Sequence, residues 1–239
     1  MYESGSRDRM GLLIWMSHPC WPSMVWQTYD YYLEPTAAYY GVKHACEPLH
    51  VQWNPVSNHV EIVNRSAGHQ RGKVKASIID LNGKTLWEQV QGYVSDEDMT
   101  LDMMQVEVPN DIAGAYFLRL TLTDDKGHVR SVNDYVNTTI ENDRTSLHDL
   151  RRAQVSATVD GKRITLINNG SSPAVMIRLN LKGDDGEQIL PVIYSDNYFH
   201  LMPGEARTID IEWKTEDARG TRSIVEISGI NVTTTTIDL

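Results

Sequence analysis

From residue 49 to about residue 140, apolar and polar residues alternate in short runs, and the runs are separated by clusters of Gly, Asn, Asp and Ser. Alternation with a period of two marks a strand with one buried face, and the separating residues are turn formers. The pattern predicts strands at 49–54, 59–64, 73–80, 85–94, 103–108, 115–123 and 128–136. Asn82-Gly83, between the third and fourth, is the strongest short hairpin signal in the chain. Asp124-Asp125-Lys126-Gly127 has the composition of a second turn, and Pro109 ends the fifth strand.

Residues 141–152, ENDRTSLHDLRR, are charged and poor in large apolar groups, which predicts an interdomain linker. Alternation then resumes. Strands are expected at 154–159 and 163–168 around Asp160-Gly161-Lys162, and again at 173–181, 188–194, 198–202, 207–213 and 222–231. Each half therefore holds about seven strands joined by turns, without helices, as an immunoglobulin-like β-sandwich requires. The Cys-Trp-Cys core of antibody domains is missing, and no residue-level repeat links the two halves. The sandwiches are expected at 49–140 and 153–239.

The first 48 residues follow another pattern. Gly11-Leu-Leu-Ile-Trp-Met16 is a continuous apolar run of strand length, which fits a strand buried on both faces. Two prolines break the next stretch, residues 17–22, and Pro22 suits the first position of a helix over 23–32. A second helix is predicted from residue 35 or 36 to 46, stopped by Pro48. Strand, loop and helix make a βα unit, which cannot bury itself. The stretch from Gly11 to Trp53 also holds four of the six tryptophans and both cysteines.

At 239 residues and 41% hydrophobic, the chain is long and apolar enough for real cores. A formal net charge of −10 argues against nucleic acid as a partner, since phosphates need a basic face. No apolar segment reaches membrane-span length and the N-terminus lacks signal-peptide design, so a soluble protein without membrane contact is expected. Cys20 and Cys46 read as two buried thiols. Pairing Cys20 with His18, or Cys46 with His44, gives neither a third group to orient a base nor zinc-site spacing. Asp184-Asp185 and Asp196-Asn197-Tyr198 read as turns and not as calcium loops. No metal and no cofactor are expected. Asn-x-Ser/Thr triplets begin at Asn64, Asn137, Asn169 and Asn231.

Two segments carry a resemblance. IWMSHPCWPSMVWQTYDYYLEPTAAYYGVKHACEPLHVQW resembles the end of the catalytic barrel in glycoside hydrolase family 2, in the branch of exo-β-glucosaminidases, β-mannosidases and endo-β-mannosidases. ILPVIYSDNYFHLMPGEARTIDIEW resembles the immunoglobulin-like domain that closes the chain in those enzymes. The resemblance implies a mainly β chain: residues 1–48 as the last strand, loop and helix of a (β/α)8 barrel, then two sandwiches. Residues 17–22 would belong to the loop after the eighth strand, at the face where barrel active sites form.

What the resemblance implies about chemistry is partly negative. Family 2 enzymes are retaining glycosidases with a carboxylic acid/base and a carboxylate nucleophile, and both would precede this stretch. The acid/base follows an Asn in the family, and the chain has no Asn-Glu dipeptide. The chain by itself is therefore expected to hydrolyse nothing. Its expected partners are the missing barrel, a β-linked saccharide in the intact enzyme, and an oligomer contact as the other cover for the aromatic block. A bacterial parent would act in the periplasm or outside the cell. Trp21, His18, Ser17 and Trp15 are the candidate pocket-lining residues, with an indole face for the C–H side of a pyranose and polar groups for its rim. Trp15 fits barrel core equally well. The remaining aromatics at helical spacing are expected to be packing. The alternative function is a stand-alone carbohydrate-binding module.

Overall fold

The computed structural model describes residues 13–23, 26–140 and 143–239. The chain forms two compact units, one built on Val42–Asp149 and the other joining Ile14–Gly41 to Leu150–Leu239. The fold thus divides residues 1–48, which sequence reading sets apart as one unit, near Gly41.

The first unit contains β1 (Leu49–Asn54), β2 (His59–Asn64), β3 (Gln70–Ile79), β4 (Thr85–Ser95), β5 (Met99–Gln105), β6 (Ala115–Asp124) and β7 (Val129–Thr138). They form two antiparallel sheets, β1-β2-β5 and β4-β3-β6-β7. Alternate side chains from both sheets, among them Val51, Ile62, Val74, Ile78, Leu118 and Leu120, make the core. The two predicted turns share one device. Asp80 Oδ1 accepts the backbone N–H groups of Asn82 and Lys84 at 2.9 and 2.8 Å, and Asp124 Oδ1 accepts those of Lys126 and His128 at 2.9 Å each. Gly83 and Gly127 follow at φ 83° and 86°, where a side chain would be strained. The expected linker contains a 3-10 turn, Thr145–Asp149, and Ser146 Oγ accepts the Ala115 N–H at 2.8 Å.

The second unit contains β8 (Val155–Asp160), β9 (Arg163–Asn168), β10 (Ala174–Gly183), β11 (Ile193–Tyr194), β12 (Phe199–Leu201), β13 (Ala206–Glu212), β14 (Ser223–Ser228) and β15 (Thr235–Asp238). Its sheets run β12-β10-β14-β15 and β11-β13-β9-β8 around a core that includes Ile164, Leu166, Ile177, Leu179, Ile209 and Val225. The strand expected over 188–194 shrinks to β11. Pro191 has no N–H to give a ladder; backbone pairing with β10 stops after the Gln188 bridge to Lys182 and the Ile189 N–H on the Leu181 carbonyl, and side chains satisfy further groups of that strand. The Leu181 N–H donates to the Tyr194 hydroxyl at 2.8 Å, and the Met176 N–H donates to His200 Nδ1 at 3.1 Å. Asn197 exchanges both amide bonds with the Leu179 backbone at 2.9 Å each. Tyr194, Asn197 and His200 are thus structural. Asn64 and Asn231 are buried, and their amides span carbonyls: Asn64 to Asp96 at 2.9 Å, Asn231 to Arg151 and Pro173 at 2.7 and 2.8 Å.

The N-terminal segment departs most from expectation. Gly11 and Leu12 lie outside the described residues, and Leu13–Met16 form no strand and are exposed. Among the described residues the run has no ladder partner, and a strand forms only where a neighbour takes its backbone groups. Residues 23–32 are not helical where they are described; Tyr29 instead bridges Pro35 in antiparallel sense. The second predicted helix is present as α1 (Ala37–Ala45). Both cysteines are free and exposed, contrary to the expected burial, because the apolar surface around Cys20 lacks cover and Cys46 follows the end of α1. Among the described residues no helix is long and apolar enough to cross a membrane.

Candidate functional site

Residues 14–41 form a strap that folds with the second sandwich. Its centre is a tight reversal at residues 28–36. The Glu34 N–H donates to Asp30 Oδ1 at 2.9 Å, the Asp30 N–H to the Glu34 carbonyl at 3.0 Å, and Leu33 sits at φ 69°. Thr36 closes the reversal by donating its N–H to the Thr28 carbonyl at 3.0 Å and its hydroxyl to the Gln27 carbonyl at 2.8 Å. Side chains that bond nearby backbone offer an alternative to a helical ladder, and an aromatic-rich run gains little from a helix. That combination explains the missing helix.

Two anchors tie the strap down. Tyr40, on α1, is buried in the second core with its ring 6.0 Å from that of Tyr198. Burial foremost pushes its hydroxyl well above the ordinary tyrosine range, so it stays neutral. Glu34 is also buried; Oε1 accepts from Arg178 Nε and Nη2 at 3.1 and 2.5 Å, and Oε2 accepts from Gln188 Nε2 at 2.6 Å. Neither Glu34 nor Arg178 was singled out from sequence. An arginine among apolar residues in AVMIRLNL and a glutamate within an aromatic turn were the available signals.

The candidate pocket residues stand near the start of this strap. Ser17 Oγ lies 3.3 Å from His18 Nδ1, and the Ser17 carbonyl accepts the Tyr29 N–H at 2.9 Å and the Thr28 hydroxyl at 3.1 Å. Trp15 takes its place beside them through its carbonyl, which accepts the Trp26 indole N–H at 3.0 Å. Ser17 and His18 are exposed, Trp15 is 81% exposed and Trp21 63%. With Leu13 at 98% and Trp26 at 72%, this is a concentration of apolar surface that folded proteins normally cover. Among the described residues no three His, Cys, Asp or Glu side chains gather as metal ligands. An open groove of about 760 Å³ lies elsewhere, in the first sandwich, lined by Arg71, Lys73, Thr123 and Asp125 among others.

The comparisons with known proteins fit this architecture. The family model for the exo-β-D-glucosaminidase Ig-fold domain matches residues 133–232. An exo-β-D-glucosaminidase of Hypocrea jecorina is 33% identical across 99% of the chain, which spans 30% of that relative. The chain matches the C-terminal portion of a glycoside hydrolase family 2 enzyme. A mannosylglycoprotein endo-β-mannosidase of Lilium longiflorum is 24% identical over 92% of the chain and 30% of its own length. Among solved structures, the exo-chitosanase CsxA of Amycolatopsis orientalis, in complex with PNP-β-D-glucosamine, superimposes with a TM-score of 0.84 at 26% identity. That likeness covers 99% of the chain and 32% of CsxA. The chain therefore spans about a third of the length of the curated relatives it matches.

Proposed function

We propose that this chain is the C-terminal part of a retaining β-glycosidase that removes β-linked glucosaminide or mannoside units, and that the two sandwiches brace its catalytic barrel. The observation that carries the reading is the strap: a folded sandwich holds out an exposed aromatic segment, in a chain that matches relatives along its whole length while spanning about 30% of theirs. The missing part of a barrel is the natural cover for Leu13, Trp15, Trp21 and Trp26. In that setting the Trp21 indole packs on the C–H face of a pyranose, while the Ser17–His18 pair hydrogen-bonds its hydroxyls. Trp15 lines the pocket beside them. The acid/base and nucleophile belong to the barrel, so the isolated chain turns over no substrate.

A binding-module role draws less support. Beyond Trp53, itself half-buried, the sandwiches carry only Trp87 and Trp213, both half-buried, so they offer no exposed tryptophan platform. The test is a chimera in which this chain replaces the matching third of the Hypocrea jecorina enzyme. Retained hydrolysis of a β-glucosaminide by the chimera, with none by the chain alone, supports the proposal. Turnover by the chain alone, or a folded chimera that is inactive, overturns it.

A further inference from the structure

The Glu34–Arg178 pair joins two distant parts of the chain. Glu34 belongs to the strap and Arg178 to β10, 144 positions later. Both carboxylate oxygens are engaged, Oε1 by Arg178 and Oε2 by Gln188, whose Nε2 also reaches Asn180 Oδ1 at 3.1 Å. Arg178 and Asn180 project from the same face of β10, two residues apart, so one strand face presents both ends of the receptor. From Glu34 the connection runs through backbone bonds. Glu34 and Asp30 close the reversal, Thr36 bonds Thr28, and Thr28 and Tyr29 hold the Ser17 carbonyl. Every member of this series is a hydrogen bond of ordinary length to a named atom.

We infer that the Glu34–Arg178 ion pair is a positioning device, by which the C-terminal sandwich sets where the loop carrying Ser17, His18 and Trp21 stands. Glu34 and Arg178 touch no substrate and act through the 28–36 reversal. The importance of that loop rests on the glycosidase reading above; the coupling itself does not. Tyr40, buried in the second core with its hydroxyl bonded to the Asn197 side chain, anchors α1 to the same sandwich at a different point. Direction comes from the carboxylate being held at both oxygens: Arg178 Nε and Nη2 converge on Oε1 while Gln188 Nε2 holds Oε2.

The test uses the 239-residue chain and hydrogen exchange resolved to single amides. In Arg178→Leu, Glu34 is left buried without its counter-charge and the reversal must open for it to hydrate. The Tyr29 and Thr36 amides are then expected to exchange at least about tenfold faster, while the Leu179 and Val225 amides in the sandwich stay within about twofold. The Trp26 indole N–H, bonded to Trp15, should shift its NMR resonance in the same variant. Arg178→Lys, which keeps the charge and loses the fork, should fall between the two. Glu34→Gln, which keeps the shape and loses the charge, should do the same and remains readable if Arg178→Leu does not fold. Unchanged Tyr29 exchange and an unchanged Trp26 signal in the folded variants would overturn the inference. Equal acceleration of Tyr29 and Leu179 would also overturn it, since the pair would then be an ordinary contributor to stability. The chimera assay judges the glycosidase reading separately, so either conclusion can fail alone.

Discussion

The strap and the first sandwich obey opposite rules of self-sufficiency. In the sandwich every apolar run has its neighbour within the same hundred residues: β3 pairs with β4 and β6, and Ile78 and Leu118 face each other across the ladder, both fully buried. In the strap the apolar run at 14–16 has no ladder partner among the described residues, and its side chains are exposed. The same hydrophobic chemistry produces a core in one place and an open surface in the other. Hydrophobicity specifies that a residue will be covered, and the neighbours present decide whether it is.

That contrast can be broken at its strong end first. Leu120→Ala or Leu179→Ala removes a fully buried side chain and is expected to cost about 2–5 kcal/mol in chemical denaturation of the affected unit. A cost near zero would mean the cores are not packed as described. Next comes Arg178→Leu, whose cost is expected to fall on the strap, with faster Tyr29 and Thr36 exchange, while the stability of the sandwich core in denaturation shifts by less than about 0.5 kcal/mol. The exposed Arg163–Asp210 pair is the control, and Arg163→Leu should leave the denaturation midpoint unchanged.

A smaller effect is expected from pH. Partial desolvation pushes the Asp124 carboxyl up, but the N–H groups of His128 and Lys126 outweigh it and hold it below the ordinary carboxylate range. A group depressed in the folded state stabilises above its unfolded value, and that contribution is lost as the pH falls through the folded one. The denaturation midpoint of the first unit should therefore decline in acid, and Asp124→Asn, which keeps the acceptor but cannot titrate, should flatten the decline. At the weak end, Trp15→Ala and Trp21→Ala should change the stability of this chain by less than about 0.5 kcal/mol. In the chimera the same substitutions should lower kcat/KM, and equal indifference in both settings would remove these residues from the pocket.

How much of this was legible in the sequence follows the same division. The strands at Leu49–Asn54, His59–Asn64 and Arg163–Asn168 fall where they are predicted; Arg163–Asn168 alternates between buried and more exposed positions, whereas the other two are buried along most of their length and pair the polar side chains of Gln52 and Glu61 with each other. The strand over 188–194 was overestimated because apolar content in 189–194 matches a strand while Pro191 and the side-chain bonds of Tyr194 and Asn197 replace the ladder. β15 was missed although its threonines are β-branched and favour strands. In the candidate site, Ser17, His18, Trp15 and Trp21 were reached through resemblance. The Glu34–Arg178 contact was not reached at all, since ion pairing across 144 positions leaves no periodic trace.

Asn64 and Asn231 give the fold a further property. Asn231 spends both amide N–H groups on the carbonyls of Arg151 and Pro173, and Asn64 is sealed in the first sandwich. A sugar attached to either nitrogen would displace a donor and has no room to leave the protein. In any secretory route that decorates Asn-x-Ser/Thr, these two positions are closed once their sandwiches form, so a glycan found on one of them would mark a chain that was modified before it folded.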